Sequence, residues 1–279
     1  MKKTYDYPED VLQFAIDQTD AALLVLTTAS GGTLRAPGAI MAVTRTSHVG
    51  YISNGCVDAD LILRARAGET GVFVYGESSP YRDIILPCSG RLEIQIYQDF
   101  KRDAVQMALS RLQAGEPTEL VMDEEVISFL PRLKLRIAGK GAACIALSDL
   151  ATAAGIKVHL QSPEAAISHN AEHLRDPNIP PHVTDDPRTA MVCLFHEHDW
   201  ETALLKQAID GPCFYVGAMG SVRTHENRCK ILREIGASQK QIDMIKGPIG
   251  LIPAQRNARF LAVSILAEII QVAQAKNLI

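Results

Sequence analysis

The second half of the chain alternates between short apolar runs and helical stretches, and this alternation constrains the fold more than any other feature. After Pro131, four apolar runs are each followed by a segment of helical character; they are residues 133–138, 156–160, 190–195 and 213–216. Strands and helices that alternate at this spacing form a parallel sheet covered on both faces, with ligands at the carboxyl ends of the strands. We therefore predict an α/β fold with a Rossmann-like domain over residues 132–279.

The first half of the chain mixes helices and strands in a less regular order. Apolar residues at helical spacing after Pro8 predict a first helix, because proline suits the first helical turn. The remaining pattern predicts strands over 21–27, 39–44, 49–53, 71–75 and 92–97, and helices over 56–67 and 101–114. We expect a smaller α+β domain over residues 1–115. The Gly-Glu-Pro and acidic composition around residues 116–131 predicts a linker between the two domains.

Composition excludes several classes of protein. A chain of 279 residues suits two domains. Its net charge of −4, from 28 Lys and Arg against 32 Asp and Glu, gives no overall attraction to nucleic acid or to an anionic membrane. Six cysteines without a CxxC pair predict free thiols. No stretch has the pattern of a signal peptide or a membrane span, so we expect a cytoplasmic protein.

The last apolar segment, residues 260–273, is interrupted by Ser264, Glu268 and Gln271 and therefore predicts a core helix. This helix is apolar on nearly every side, which places it either deep in the core or partly in a subunit interface. We expect a homodimer on this ground.

A cysteine stands where a predicted strand turns into a helix, in the sequence Ser-Asn-Gly-Cys that ends at Cys56. Backbone amides and the helix dipole favour a thiolate at such a point, so Gly55 and Cys56 predict a nucleophile or a soft-metal ligand. The alternative is a small thiol that only packs. Cys88, in a predicted turn before a strand, is a second candidate thiol.

The loop over residues 28–38 contains glycines, hydroxyl groups and one arginine between two predicted strands. Such a loop can wrap an anion with its amides and the guanidinium of Arg35, while Gly38 shapes the turn. The alternative is a simple polar connection.

The predicted Rossmann domain carries a G-x-G-x-x-C turn that begins at Gly139. Gly139 and Gly141 allow backbone amides to approach a phosphate at the helix N-terminus. Dinucleotide-binding proteins carry an acid at the end of the next strand, and here Glu164 appears only after Pro163. The turn therefore predicts a phosphate or nucleotide site, or a scaffold turn without NAD(P). An NAD(P)-dependent oxidoreductase is the second function we consider.

Two more segments follow predicted strands of this domain. Ser221 in an N-cap position and Arg223 in the first helical turn form another anion cradle, or only a well-capped helix. Residues 196–199, His-Glu-His-Asp, could bind a metal, but neighbouring side chains on an extended backbone point in opposite directions. Capping of the next helix by Asp199 explains the segment more simply.

These motifs, in this order, resemble the XdhC/CoxI family of xanthine dehydrogenase accessory factors. The matching stretches are TASGGTLRAPGAIM, SNGCVDADL, LPCSGRLEI, GKG, FHEHD, YVGAMGSVRT, GPIGL and AVSILAEII. Some positions depart from the family pattern: Asn54, Ser89 and Lys140 replace two glycines and a histidine, and the acid after the second Rossmann strand is missing.

The resemblance implies an N-terminal XdhC domain and a C-terminal Rossmann domain. It also implies a protein that binds molybdenum cofactor, protects it during sulfuration by a cysteine desulfurase, and delivers it to a molybdenum hydroxylase apoenzyme. In that role Cys56 would meet the molybdenum, with Cys88 as a second thiol. Since no familiar catalytic signature is present, the resemblance favours a cofactor chaperone over an enzyme.

Overall fold

The computed structural model describes residues 7–32, 35–77, 79–80, 86, 90–164, 167, 170–195 and 199–279. The chain divides into two compact units, residues 1–131 and 132–279.

The first unit contains a five-stranded antiparallel sheet of order β3-β2-β1-β5-β4. Its strands are β1 (Ala22–Ser30), β2 (Ile40–Val43), β3 (His48–Gly50), β4 (Gly71–Gly76) and β5 (Arg91–Tyr97). Its helices are α1 (Pro8–Asp17), α2 (Asp58–Arg66) and α3 (Arg102–Gln113), and α1 begins at Pro8 as predicted. A separate hairpin follows, made of β6 (Thr118–Met122) and β7 (Glu125–Phe129).

Side chains of β1 alternate between two cores, because successive residues of a strand face opposite sides of a sheet. Leu23 and Val25 pack with the apolar faces of α1 and α3, whereas Leu24 and Leu26 pack with α2 on the other face. All four side chains are almost completely buried, which makes β1 the centre of the unit.

The segment 116–131 is not the linker that the sequence predicted. Leu120, Met122, Ile127 and Phe129 are buried and belong to the core that α1 and α3 cover. Alternate residues of β6 are buried and exposed, which is the pattern of a half-buried strand. The acidic residues 123–125 lie at the turn of the hairpin, and their composition concealed this alternation.

The second unit contains a six-stranded parallel sheet of order β10-β9-β8-β11-β12-β13, so the prediction of an α/β fold with a Rossmann-like domain is confirmed. Its strands are β8 (Lys134–Gly139), β9 (Lys157–Ser162), β10 (Glu172–His173), β11 (Thr189–Leu194), β12 (Tyr215–Ala218) and β13 (Ile245–Lys246). Its helices are α4 (Ala142–Ala153), α5 (Glu201–Asp210), α6 (Val222–Glu234), α7 (Gln239–Ile242) and α8 (Ala258–Ala275). Helices α4 and α8 cover one face of the sheet, and α5 and α6 cover the other.

Helix α8 is buried on one side and apolar on much of the other. Ile265 and Ile269 are buried in the core with α4, whereas Phe260 and Val263 are at least half exposed. By length and composition alone this helix could cross a membrane, a test that core helices also pass. The carboxylate of Glu268 accepts hydrogen bonds from the hydroxyl of Tyr215 at 2.7 Å and the amide of Gly250 at 2.8 Å, so α8 also anchors the loop that follows β13.

Candidate functional site

Several loops of the first unit emerge at one edge of its sheet. The register pairs Ser30 at the end of β1 with Arg91 at the start of β5, and pairs Met41 near the start of β2 with Gly50 at the end of β3. The loop after β1 and the loop after β3 therefore leave the sheet on the same side. Four of the residues predicted from the sequence lie on these two loops: Arg35, Gly38, Gly55 and Cys56.

Arg35 connects the two loops. Its guanidinium carbon lies 4.7 Å from the ring centroid of Tyr51, the residue that directly follows β3. This cation–π contact holds the positive charge of the first loop beside the segment that leads to Cys56.

Gly38 closes the first loop rather than offering its amide to a ligand. Its N–H donates to the carbonyl of Leu26 at 2.8 Å, and the N–H of Leu26 donates to the carbonyl of Ala39 at 2.9 Å. These two bonds return the chain into β2. They support the expectation that Gly38 shapes the loop while Arg35 supplies the charge.

Cys56 lies in a turn, and its side chain is exposed. Helix α2 begins at Asp58, so the prediction that the helix starts at Cys56 is wrong. Val57 takes the N-cap position, and the positive φ angles of 58° at Asn54 and 112° at Gly55 belong to the turn that precedes the helix. The helix dipole therefore acts on the thiol less directly than the sequence suggested.

Asp58 is a functional candidate that sequence reasoning missed. Its buried carboxylate accepts hydrogen bonds from the amides of Ile52 at 2.8 Å, Ser53 at 3.0 Å and Gly55 at 2.5 Å. The hydroxyl of Ser53 accepts a further bond from the amide of Val57 at 2.8 Å. An aspartate two residues after a Gly-Cys turn is the only sequence signal that could have indicated this arrangement.

The next acid of the same helix has different partners. The carboxylate of Asp60 accepts hydrogen bonds from the hydroxyl of Tyr75 and from Arg64, both at 2.6 Å. Burial and the bond to Asp60 raise the pKa of Tyr75, so this tyrosine stays protonated. These contacts attach α2 to β4 and do not involve the Cys56 turn.

The second predicted thiol, Cys88, lies outside the described residues. Arg91, three residues later, begins β5 on the same edge as the two loops. The role of Cys88 as a second thiol therefore stays a prediction.

In the second unit, Gly139 lies at the carboxyl end of β8. A β-carbon at this position would lie 2.6 Å from both the sulfur of Cys144 and the carbonyl oxygen of Leu194, so the turn requires glycine. Cys144 packs against it, and burial, followed by the charge of Glu164, raises the pKa of this thiol to about 12. Cys144 therefore has a packing role.

An acid does lie beside the glycine-rich turn, although the sequence has none at the usual position after the second Rossmann strand. Glu164 lies two residues beyond β9, and its carboxylate accepts a hydrogen bond of 3.1 Å from the amide of Gly141 at the N-terminus of α4. This contact has no signal in the sequence, because Pro163 separates the acid from the end of β9. The amide of Gly141, which was predicted to bind a phosphate, therefore already donates a hydrogen bond to a carboxylate.

Ser221 caps α6 as predicted, accepting a hydrogen bond from the amide of Thr224 at 3.1 Å. Arg223 is exposed in the first turn and lines a polar cleft with Ser221. Beneath this turn, Arg228 forms a buried two-point ion pair with Glu201 and donates to the carbonyl of Met219 at 2.7 Å. This pair fixes the loop between β12 and α6.

The two predicted anion-binding turns, at Gly139 and at Ser221, lie on one edge of the parallel sheet. Strands β8 and β12 are separated only by β11, and the turns that contain Gly139 and Ser221 both follow carboxyl ends of strands. This is the edge at which parallel sheets bind ligands.

The predicted metal segment is only partly described, because residues 196–198 lie outside the described part of the chain. Helix α5 begins at Glu201 with Trp200 in the N-cap position, so Asp199 does not cap it. Within the described residues, no three His, Cys, Asp or Glu side chains cluster closely enough to hold a metal ion.

Comparison with known proteins identifies relatives of both units. The model of the XdhC and CoxI family matches residues 16–76, and that of the XdhC Rossmann domain matches residues 135–269. The molybdenum cofactor insertion chaperone PaoD of Escherichia coli is 30% identical over 291 residues, covering 94% of this chain and 87% of that protein. A crystal structure described as a xanthine dehydrogenase from Bacillus halodurans aligns with a TM-score of 0.76 over 96% of each chain, at 18% identity, and shows the same fold.

Proposed function

This chain belongs to the XdhC and CoxI family, and on that premise we propose that it binds molybdenum cofactor, protects it and inserts it into a xanthine-dehydrogenase-like molybdenum hydroxylase. The observation that carries the proposal is the 30% identity, over 94% of the chain, to a protein named as a molybdenum cofactor insertion chaperone. The relative is matched over nearly its whole length, so both units take part in the comparison.

The chemistry of the cargo suits the edge of the first unit. Molybdenum bound by a dithiolene is a soft centre that accepts thiolate ligands, and the phosphate of the cofactor is anionic. The Cys56 thiol is exposed on one loop of this edge, and the guanidinium of Arg35 lies on its neighbour. In the proposal Cys56 binds molybdenum, Cys88 is a second thiol, and Gly38 and Gly55 shape the loops.

The edge of the second unit would receive a phosphate or nucleotide. The proposed contacts are the amides of the turn that contains Gly139 and Gly141, the cap at Ser221 and the guanidinium of Arg223. An anion that binds the amide of Gly141 must displace the carboxylate of Glu164, which weakens its binding. Weaker binding eases release, which suits a protein that hands its cargo on.

The proposed partners are a molybdenum hydroxylase apoenzyme and a cysteine desulfurase. A carrier needs no acid–base pair, so the proposal is for a chaperone rather than an enzyme. The exposed apolar side chains of α8, such as Phe260, support a homodimer. The five described cysteines are free thiols, which supports a cytoplasmic location.

Cofactor retention tests the proposal. The protein and its Cys56→Ala variant are incubated with isolated molybdenum cofactor and desalted, and molybdenum is measured by mass spectrometry and oxidised pterin by fluorescence. Cys229→Ala, which removes a half-buried thiol of the other unit, is the matched control. We expect near one-to-one retention by the wild type and the control, and loss in Cys56→Ala. Absence of retention by all three proteins, where a known carrier retains the cofactor, would refute the proposal.

One feature favours a second function. The turn after β8 requires glycine at position 139, as the glycine-rich turn of dinucleotide-binding proteins does, which keeps an NAD(P)-dependent oxidoreductase as the alternative. In that case NADH or NADPH would bind saturably at micromolar concentration, and the cofactor experiment would show no retention.

A further inference from the structure

We propose that Asp58 is the positioning residue for Cys56: its carboxylate folds the turn over residues 52–57 so that the thiol is held outside the turn, where the cargo can reach it. The inference rests on the proposed function for what the thiol binds. It concerns a residue that neither the sequence motifs nor the comparisons single out.

Both oxygens of Asp58 are engaged by the turn. One oxygen accepts from the amides of Ile52 and Ser53, and the other accepts from the amide of Gly55. The carboxylate is buried, and within the described part of the chain its hydrogen-bond donors are these three N–H groups. A buried carboxylate with three backbone donors is a rigid anchor, because each bond to a charged acceptor is stronger than a neutral one.

The backbone of this turn is unusual. Asn54 and Gly55 have positive φ angles in succession, a conformation that an Asn-Gly pair accepts readily but that the pair alone does not hold against other conformations. Among the described residues, apart from the neighbours of Gly55 in the chain, no atom lies within 4 Å of the position that a β-carbon on Gly55 would take, so packing at this position does not impose the conformation. The contacts to Asp58 are what hold the turn.

The amides of this turn point inwards. Those of residues 52, 53 and 55 donate to Asp58, and that of Val57 donates to the hydroxyl of Ser53. They are therefore engaged within the turn rather than directed at a ligand. What the turn supplies to the thiol of Cys56 is a fixed, exposed position.

A protein whose binding conformation is only partly populated binds more weakly in proportion to that population. Loss of the Asp58 anchor lets the turn exchange among conformations, so the fraction with the thiol outside falls. Cargo affinity and the rate of alkylation of Cys56 should therefore fall by the same factor.

The Asp58→Asn variant tests the positioning role of Asp58. Its side chain keeps the size of the aspartate but directs an N–H donor, instead of an acceptor, at the backbone N–H of Gly55. Asp60→Asn is the matched control, since Asp60 lies on the same helical turn but bonds to Arg64 and Tyr75. The measurements are retention of isolated molybdenum cofactor, the rate of iodoacetamide alkylation at Cys56, and deuterium exchange of the peptide that contains residues 52–57.

We expect Asp58→Asn to lower cofactor affinity and alkylation rate about three- to tenfold each, in proportion to the remaining outward population, and to speed exchange in the turn. Asp60→Asn should leave all three unchanged.

A cofactor affinity that Asp58→Asn leaves at the wild-type value, or an alkylation rate that it leaves unchanged, would overturn the inference. Failure of the proposed function would be seen separately, as a wild-type protein that retains no cofactor. Alkylation and deuterium exchange would then still decide whether Asp58 positions Cys56.

Discussion

The carboxylate of Glu164 accepts a hydrogen bond of 3.1 Å from the amide of Gly141, at the point where the glycine-rich turn enters α4. A helix N-terminus attracts an anion, and here the chain supplies that anion itself. Any phosphate that binds the turn must compete with this side chain.

We therefore expect Glu164→Gln to strengthen binding of NADH or NADPH about two- to fivefold, since a charge at a helix N-terminus contributes about 0.3–1 kcal/mol. Titration followed through nicotinamide fluorescence and the sole tryptophan, Trp200, measures this. Glu172→Gln is the control, because Glu172 bonds to Gln161 and His159 instead of the turn. Equal affinities in both variants would contradict the competition.

The close approach at Gly139 predicts a large loss of stability on substitution. In Gly139→Ala the new methyl group would meet Cys144 and Leu194 at 2.6 Å, and overpacking of this kind costs about 1–3 kcal/mol. Gly211→Ala is the control, because the nearest atom there lies 3.4 Å away. Urea unfolding followed by Trp200 fluorescence compares the two, and equal midpoints would show that the turn can relax.

The buried pair of Arg228 and Glu201 should be sensitive to the loss of one charge. Both side chains are 2% exposed, so Glu201→Gln leaves a buried guanidinium without its counter-charge and should cost about 3–5 kcal/mol. Asp210→Asn breaks the exposed pair with Lys206 and should cost about 0–1 kcal/mol. Similar urea midpoints for the two variants would show that the Glu201 charge is dispensable.

The hairpin should behave as part of the first unit. Phe129→Ala removes a side chain that is 3% exposed and should destabilise the unit by about 3–5 kcal/mol. Val126→Ala, at a position that is 58% exposed, should have little effect. Deuterium exchange in β1 reports the stability of that unit, and unchanged exchange in Phe129→Ala would restore the linker interpretation.

The thiols should differ in reactivity as pH rises. Burial is the main cause that raises the pKa values of Cys144, Cys193 and Cys213 to about 12. A raised pKa keeps the neutral thiol, so these three should resist iodoacetamide from pH 7 to pH 10 while exposed Cys56 is labelled. Peptide mass spectrometry measures each site, and labelling of the three without unfolding would contradict the prediction.

Regular patterns in the sequence predicted most of the fold. The alternating runs after Pro131 predicted β8, β9, β11 and β12 because parallel strands are buried on both faces and read as apolar segments. The two-residue strands β10 and β13 carry too few residues for such a pattern. The hairpin of β6 and β7 was not predicted, because the acidic residues at its turn dominated the composition of the segment.

Contacts between side chains and backbone could not be predicted in the same way. The sequence placed Gly55 and Arg35 correctly on loops, but it placed Cys56 in the helix, because the start of α2 depends on where the carboxylate of Asp58 finds donors. The Glu164 contact likewise depends on how Pro163 directs the chain after β9. Both contacts depend on the three-dimensional structure and leave no periodic pattern in the sequence.

Glu268 links β12, through Tyr215, to the loop at Gly250, and these partners lie 53 and 18 residues away in the chain. A local fluctuation that frees the loop must also break the tie between α8 and the strand. This region of the sheet should therefore open cooperatively, with a single protection factor shared by the strand, the loop and the helix.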